Sequence, residues 1–261
     1  MFGSERSVLE HRLLKSVFLR IFGEVYLGRR LRFFHFRKTI QFLRLNNADI
    51  LDAGCGLGEY SFYLSRNYPN AKIVAVDISK EDINSCLEIK EIKKINNIEF
   101  KKASLSDLKS SGFFNLIFCV DVMEHVKDDN NIFKHFFNAL KTDGTLVMHF
   151  PNSGYDPKLR KRLNSFFPKL MAAGISEIGH VRHGYNPSEI ESLLRTIGFT
   201  SIQLKYTFGA LGFAAHILFE LVRDKHLIIY MFFYPFMLVL AYMDLLFENS
   251  TGSGILIIAK K

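Results

Sequence analysis

Tryptophan is absent from this 261-residue sequence, and cysteine occurs three times, at Cys55, Cys86 and Cys119. An odd number of cysteines at these separations fits neither a disulfide framework nor the close cysteine pairs that bind zinc. We therefore expect three small, buried, apolar side chains in a protein from a reducing compartment. The first residues, MFGSERSVLEHR, are charged and lack the apolar run of a secretory signal, so we expect no such signal there.

Composition and charge limit the class of protein. Hydrophobic residues make up 48% of the chain and charged residues 23%, which is typical of a folded protein rather than a disordered one. The length suits one α/β domain with insertions. The net charge is +8, and residues 1–46 carry ten basic against three acidic side chains. The rest of the chain is therefore close to neutral, and the positive charge belongs to the N-terminal segment.

Residues 50–61, ILDAGCGLGEYS, predict a short buried strand, a turn with three glycines and the start of a helix. Gly54, Gly56 and Gly58 tolerate positive φ and let a ligand approach the backbone closely. The free N–H groups at the start of the helix lie beside the same turn. Asp52 adds a carboxylate at the mouth of the turn, which suits a cationic or zwitterionic ligand better than a pyrophosphate.

The next strand, predicted over residues 72–76, is closed by Asp77. An acidic side chain at this position can accept hydrogen bonds from both ribose hydroxyls of an adenosine. The alternative role is the N-cap of the following helix, although Ser79 suits that role better. Asp77 is therefore predicted to bind the ribose of a nucleoside-bearing cofactor.

A fourth strand, predicted over residues 115–120, is followed by DVMEHV at residues 121–126. The carboxyl ends of parallel strands open onto the ligand crevice. Asp121 and His125 are therefore placed near the chemistry. A fifth strand over residues 145–150, after a turn at residues 141–144, brings His149 to the same edge of the predicted sheet.

The D-x-G-x-G-x-G pattern at residues 52–58 resembles the first motif of class I S-adenosylmethionine-dependent methyltransferases, and residues 121–126 resemble their fourth motif. The resemblance implies an α/β fold, a Rossmann-like seven-stranded, mostly parallel sheet with its last strand antiparallel. It implies S-adenosylmethionine as cofactor, whose ammonium group suits Asp52. Members often place an Asp against the adenine just after the third strand, and the matching position here is Ser104. Asp121 is the further cofactor-binding residue.

The resemblance implies direct in-line methyl transfer, for which a protein mainly supplies proximity and alignment. A general base helps where the acceptor is a hydroxyl, and His125 is the first candidate. His149 and His183 are the alternatives, and His125 could instead only hydrogen-bond the neighbouring loop. His180 and His183 lack carboxylate or cysteine partners at metal-binding spacing, so we expect no metal.

The N-terminal segment predicts two amphipathic helices over residues 4–45, with a break near Gly23 or Gly28. Its basic and aromatic profile is shared by helices on anionic membranes, by nucleic-acid-binding patches and by a helical cap over a cofactor pocket. The sequence is thus divided into a basic helical cap (1–46), a methyltransferase domain (47–207 and 254–261) with a substrate-side insertion (151–186), and an apolar helical hairpin (208–253).

The hairpin is predicted to form helices over residues 208–222 and 227–247. No charge occurs in the 17 residues from Leu227 to Met243, which is at the lower limit for spanning a bilayer, and Pro235 lies within them. A bilayer span, a hairpin in one leaflet, a soluble lid and a homodimer contact all fit. Strand 6 leaves and strand 7 enters the implied sheet at its ligand edge, so we expect the hairpin above the active site.

The favoured function is S-adenosylmethionine-dependent methylation of a hydrophobic or lipid-linked small molecule at a membrane surface. We expect a cytoplasmic protein, peripheral or monotopic on the cytoplasmic membrane. The alternatives are a non-catalytic, membrane-associated interaction protein that retains the fold, and a soluble small-molecule methyltransferase. Asp52 disfavours a nicotinamide-dependent oxidoreductase. A nucleic-acid substrate is not expected, because Asp/Asn-Pro-Pro-Tyr and Pro-Cys motifs are both missing from the sequence.

Overall fold

The structure is a computed structural model that describes residues 26–108, 111–155, 181–222 and 227–261. The chain divides into two compact units. The sheet unit contains residues 40–153, 179–205 and 255–261, and the helical unit contains the rest. The predicted helix before Gly23, most of the substrate-side insertion and His180 lie outside the described residues. The predicted segment boundaries at residues 46, 207 and 254 stay predictions.

The sheet has seven strands in the order β3-β2-β1-β4-β5-β7-β6. Neighbouring strands from β1 to β5 are parallel. The last strand, β7, is antiparallel to its neighbour β6, because the end of β7 pairs with the residues that lead into β6. Thr200 N donates to Lys260 O at 2.9 Å, and Lys260 N donates to Ser201 O at 3.1 Å. The predicted fold class is confirmed. The strands are β1 (Asp49–Ala53), β2 (Lys72–Asp77), β3 (Ile98–Lys102), β4 (Phe114–Val120), β5 (Leu140–Pro151), β6 (Ile202–Thr207) and β7 (Gly254–Lys260).

Seven α-helices occur in the described residues, with short 3-10 turns at Leu105–Asp107 and Met123–His125. Helices cover the sheet because its central strands are apolar runs buried on both faces, as in parallel sheets generally. The helices are α1 (Leu27–Ile40), α2 (Glu59–Asn67), α3 (Lys80–Ile92), α4 (Asp129–Ala139), α5 (Pro187–Ile197), α6 (Ala210–Val222) and α7 (Leu227–Leu246).

Local sequence signals set several helix ends. The Ser79 hydroxyl accepts a hydrogen bond from Asp82 N at 3.2 Å and begins α3. Pro187 occupies the first turn of α5, and Gly198, with φ of 123°, follows its last residue. The prediction that Ser79 begins the helix after β2 is confirmed.

The predicted turn at residues 141–144 is wrong as a strand boundary, because β5 already begins at Leu140. Phe114 pairs with Leu140, whereas Leu116 pairs with Thr145, so β5 bulges between these two pairs. Asp143, with φ of 62°, takes up the extra residues in a left-handed conformation. Residues 141–144 therefore form a bulge inside β5 rather than a turn before it.

The helical unit is built on the packing of α6 against α7, with α1 completing the core. Helix α1 begins at Leu27, one residue before Gly28, and the first predicted helix lies outside the described residues, so the break near Gly23 or Gly28 stays a prediction. Gly28 lies beside α6, and a Cβ there would be in ordinary van der Waals contact with the His216 ring, at 3.7 Å. The core consists of Leu27, Leu31, Phe208, Ala215, Phe219, Val222, Tyr230, Tyr234, Met237, Leu238 and Ala241.

One carboxylate is buried within this apolar unit. Asp244 is 1% exposed, and its Oδ2 accepts hydrogen bonds from Gly209 N (3.1 Å) and Asn249 Nδ2 (3.3 Å). A Cβ on Gly212 would lie 2.7 Å from the same oxygen, so glycine makes room for the carboxylate. Asp244 thus ties the end of α7 to the start of α6, where unpaired N–H groups favour a negative charge.

Helix α7 continues through Pro235. Among the described helices, its stretch Ile228–Leu246 has the length and composition to cross a membrane, and 33% of its most apolar part is buried inside the protein.

Candidate cofactor and active site

The three glycines form the turn between β1 and α2, and all three have left-handed φ, of 86°, 48° and 74° in chain order. Gly54 N and Cys55 N both donate to Val76 O, at 2.8 and 2.9 Å, which folds the turn over the end of β2. Gly58 precedes α2 and provides no side-chain cap. The backbone N–H of Ser61, in the first turn of α2, hydrogen-bonds the Asp52 carboxylate, so the helix start is directed at a negative charge.

The glycines serve two different purposes. A Cβ on Gly54 would lie 2.3 Å from Val122 Cγ2, and a Cβ on Gly58 would lie 3.0 Å from Cys86 Sγ. These two positions are closed by the protein itself. A Cβ on Gly56 would meet nothing within 4 Å. The backbone at Gly56 is therefore the part of the turn that a bound cofactor can approach.

Asp77 connects the glycine turn to the loop after β2. Its Oδ2 accepts a hydrogen bond from Gly56 N at 2.8 Å, and its Oδ1 accepts one from Ser79 N at 2.9 Å. The carboxylate is partly exposed beside Gly56. It therefore shapes the turn, and each oxygen keeps a second lone pair that can accept a ribose hydroxyl. Its predicted ribose contact fits this position and stays a prediction.

Asp52 was predicted at the mouth of the glycine turn, and the structure places it in the buried part of β1 instead. It is 2% exposed inside β1, and its Oδ2 accepts a hydrogen bond from Ser61 Oγ at 2.6 Å. Burial raises the pKa of Asp52 to about 7, the Ser61 hydrogen bond opposes the rise, and the charge of Asp77 adds to it. A cation bound at the turn would favour the ionised form, which agrees with a cofactor that carries an ammonium group.

Ser61 was not identified from the sequence as a site residue. It is fully buried in the first turns of α2 and holds Asp52. The sequence did contain a signal, since a polar side chain at a core-facing helix position near a strand-end carboxylate needs a partner.

The two strand ends after β4 and β5 form a dyad. Asp121 Oδ1 lies 2.7 Å from His149 Nδ1, and Asp121 N donates to His149 O at 2.9 Å. Asp121 has φ of 54°, a conformation uncommon for a residue other than glycine. His149 is 4% exposed. The pair therefore fixes an imidazole at the ligand edge of the sheet, with its tautomer set by the carboxylate.

The other predicted site residues are less constrained. Ser104 caps the short turn at Leu105–Asp107, and its Oγ lies 2.7 Å from Ser106 Oγ. Ala103 N donates to Asp77 O at 3.0 Å, which places Ser104 next to the end of β2, and its predicted adenine contact stays a prediction. His125 and His183 are both exposed, and their roles stay predictions.

Residues 181–185 are held against the loops that follow β4 and β5. Val181 N donates to Glu124 O at 2.9 Å, and Tyr185 N donates to Pro151 O at 3.0 Å. Arg182 pairs with Asp129, which also accepts a 2.8 Å hydrogen bond from the Tyr185 hydroxyl. Arg182 and Tyr185 thus close the loop.

The cysteines behave as small buried side chains, and all three are free and buried. Cys86 Sγ lies 3.4 Å from Gly56 O and packs behind the glycine turn. Within the described ranges, no group of three or more His, Cys, Asp or Glu side chains could hold a metal ion.

Replacing Gly56 with alanine tests which glycine faces the cofactor. We expect the free energy of unfolding to fall by only about 1–2 kcal/mol, from the strain of a left-handed alanine. Cofactor affinity is expected to fall by about tenfold or more, because the new methyl group occupies the open side of the turn. Calorimetric binding and urea unfolding measure the two effects.

Gly112→Ala is the matched control, since Gly112 has φ of 59° and its Cβ would also meet nothing within 4 Å. It should show the same loss of stability with unchanged cofactor binding. Equal binding by the Gly56 and Gly112 variants would contradict the assignment of Gly56.

Comparison with known proteins agrees with this geometry. A family model described as "Methyltransferase domain" matches residues 45–184. Phosphoethanolamine N-methyltransferase 1 of Triticum aestivum is 27% identical over 49% of this chain and 26% of its own length. Ubiquinone biosynthesis O-methyltransferase of Xanthomonas campestris is 26% identical over 64% of this chain and 67% of its own length. The chain spans about a quarter to a half of the first curated relatives that it matches.

A solved structure shows the same fold. Phosphoethanolamine N-methyltransferase 2 of Haemonchus contortus has a TM-score of 0.59 in its complex with S-adenosyl-L-methionine, and of 0.58 in a second structure with phosphomonomethylethanolamine and S-adenosylhomocysteine. The complex with S-adenosyl-L-methionine is 18% identical and covers 85% of this chain and 51% of the other. The family match covers more than half of the 261 residues and contains both the glycine turn and the Asp121–His149 dyad. This chain belongs to the methyltransferase domain family, with the fold of the class I S-adenosylmethionine-dependent methyltransferases.

Proposed function

We propose that this protein methylates a hydroxyl group of a hydrophobic or lipid-linked small molecule, with S-adenosylmethionine as methyl donor. The observation that carries the proposal is the Asp121–His149 dyad at the ends of β4 and β5. A buried imidazole oriented by a carboxylate is the arrangement expected of a general base. Such a base is useful for a hydroxyl acceptor, which must lose its proton during transfer.

The residues of the glycine turn fit the cofactor. Gly56 leaves open space, Asp77 offers carboxylate oxygens for ribose hydroxyls, and Asp52 favours a cationic group. S-adenosylmethionine, when bound, supplies a methyl group on a sulfonium, which is a good leaving group. The contribution of the protein is therefore to bind, align and exclude water.

His149 carries out the proton transfer in this proposal. Its Nδ1–H donates to Asp121 Oδ1, so Nε2 is the nitrogen with a lone pair for the proton of the acceptor hydroxyl. The carboxylate of Asp121 stabilises the imidazolium that forms. Asp121 acts through His149 and is a positioning residue, and its backbone hydrogen bond to His149 O keeps the two strand ends in register.

Two observations support a hydrophobic acceptor at a membrane. One relative is an O-methyltransferase of ubiquinone biosynthesis by name. Helix α7 exposes a row of large apolar side chains, including Phe232 and Phe236. We propose that the protein is cytoplasmic and works at the inner surface of the cytoplasmic membrane, where a hydrophobic substrate is concentrated.

The test uses cofactor labelled on its methyl group, incubated with the full-length protein and a cell extract that is then split into organic and aqueous phases. We expect label in the organic phase. Asp77→Ala should abolish it, because the variant loses both the ribose acceptor and the hydrogen bond to Gly56 N. Glu191→Ala, a half-exposed acid paired with Arg195 on α5, is the matched control and should retain the signal.

Label confined to the aqueous phase would contradict the hydrophobic substrate and leave methyl transfer standing. Absence of transfer in both phases, with cofactor still bound, would favour the non-catalytic protein that retains the fold.

A further inference from the structure

Helix α7 carries a row of exposed apolar side chains along one face. They recur at intervals of three and four residues, so they lie on one side of the helix. Each is between 40% and 79% exposed. We call this row the apolar stripe, and it consists of Ile228, Phe232, Phe236, Val239, Met243 and Leu246. At 1.5 Å per residue it extends over about 27 Å.

The apolar stripe is separate from the face of α7 that packs in the core of the helical unit. The opposite side of α7 is already packed in the helical unit, where Tyr230, Tyr234 and Met237 are at most 1% exposed. The helix therefore has one face for the protein and a second apolar face that the described residues do not cover. A contiguous apolar surface larger than a few hundred Å² on a protein marks an interaction site.

Positive charge lies along the edge of the stripe. Helix α1 runs beside α7 in the helical unit, with Phe34 and Tyr242 rings 4.9 Å apart and Lys38 Nζ donating to Leu245 O at 2.8 Å. Arg30 lies against the hydroxyls of Tyr234 and Tyr242. Arg37 and Lys38 are exposed at the end of α1.

We propose that the apolar stripe inserts into one leaflet of an anionic membrane, with α7 parallel to the membrane plane and the basic side chains of α1 on the lipid phosphates. This inference rests on the proposed function and names the surface by which the protein meets its hydrophobic substrate. A parallel helix keeps its packed face on the protein. A spanning α7 would have to leave the core that Tyr230 and Tyr234 fill.

The charge favours a membrane over a second copy of the chain. Pairing two stripes would bring together two helical units whose N-terminal segments each carry most of the net charge of +8. An anionic lipid surface neutralises the same charge, and each basic residue near it strengthens binding. The stripe and its basic edge match the two components of an interfacial helix, an apolar face and a cationic flank.

The test is flotation of the full-length protein with vesicles of equal parts phosphatidylglycerol and phosphatidylcholine. We expect binding that weakens in high salt and on vesicles of phosphatidylcholine alone. The double variant Phe232→Ser/Phe236→Ser should bind at least about tenfold less well, because it removes two exposed rings from the stripe. Arg37→Gln should weaken binding to anionic vesicles only.

The matched control is Phe42→Ser/Phe113→Ser, which removes two rings that are 77% and 50% exposed in the sheet unit. It should float like the original protein. Cofactor affinity, measured on the same samples, should be unchanged in both double variants, which separates this inference from the proposed function. Absence of vesicle binding, or equal binding by the two double variants, would overturn the proposal. A dimer that dissociates only in the stripe variant would overturn it in favour of a second copy.

Discussion

Replacing His149 with alanine is expected to lower kcat for methyl transfer by about 10²–10⁴-fold, the usual contribution of a general base. The ring is 4% exposed and held by Asp121 at 2.7 Å, so its loss removes a group that bulk water reaches poorly. Cofactor affinity should change little, because the glycine turn and Asp77 do not depend on the imidazole. Initial rates at saturating cofactor, combined with calorimetric cofactor binding, measure the two quantities.

Asp121→Asn distinguishes an oriented base from a structural histidine. The amide can present its NH₂ group to Nδ1, which would reverse the tautomer and leave Nε2 protonated. We expect kcat at saturating cofactor to fall and the acid limb of the pH–rate profile to move. His135→Gln, a histidine on α4 near Leu105 O, is the matched control and should keep its rate. A large loss in His125→Ala with an active His149→Ala would reverse the assignment.

Local sequence determined most of the sheet unit. The glycine turn was predictable because positive φ at three nearby positions has few other uses, and Asp77 was predictable because it ends an apolar run. The strand order followed from the resemblance of these motifs. The bulge in β5 was not predictable, because residues 141–144 have ordinary turn chemistry and only pairing with β4 keeps them inside the strand.

The pairing of Asp121 with His149 could not be predicted from the sequence. The sequence favoured His125, because it belongs to a motif after β4, but that ring is exposed. His149 is 28 residues from Asp121, and their contact exists only because β4 and β5 are neighbours in register, with Val120 opposite His149. Long-range register of this kind is not encoded in local spacing, although two polar residues at adjacent strand ends were a usable signal.

The face of α7 was also beyond sequence reasoning. Nearly every position from Leu227 to Met243 is apolar, so no periodicity separates the packed side from the exposed side. Only tertiary packing shows that Tyr230 and Tyr234 are buried while Phe232 and Phe236 are exposed. The sequence could therefore predict an apolar hairpin but not the surface that it offers.

Raising the pH from 5 to 8 is expected to lower the free energy of unfolding of the cofactor-free protein by about 2.5 kcal/mol, through the ionisation of Asp52. Burial raises its pKa to about 7, above the value of about 3.9 in an unfolded chain. The folded state therefore binds the proton more tightly across this window, so stability falls as the pH rises through it and levels off above the folded pKa. Urea unfolding of the original protein and of Asp52→Asn, at several pH values, isolates this contribution as the difference in slope.

The same carboxylate should couple cofactor binding to pH. An ammonium group bound near Asp52 favours the ionised form, so binding must release the proton whenever the pH lies below about 7. Cofactor affinity is therefore expected to fall by about 15-fold from pH 7 to pH 5.5, less than the roughly 30-fold limit of one proton per pH unit because Asp52 is already about half ionised at pH 7. Asp52→Asn should bind more weakly at pH 7 and lose this dependence. Glu191→Ala, a surface acid far along the sequence, should keep the original profile. Parallel profiles for the original protein and Asp52→Asn would show that Asp52 does not sense the cofactor, and would leave its burial and the Ser61 hydrogen bond as a purely structural arrangement.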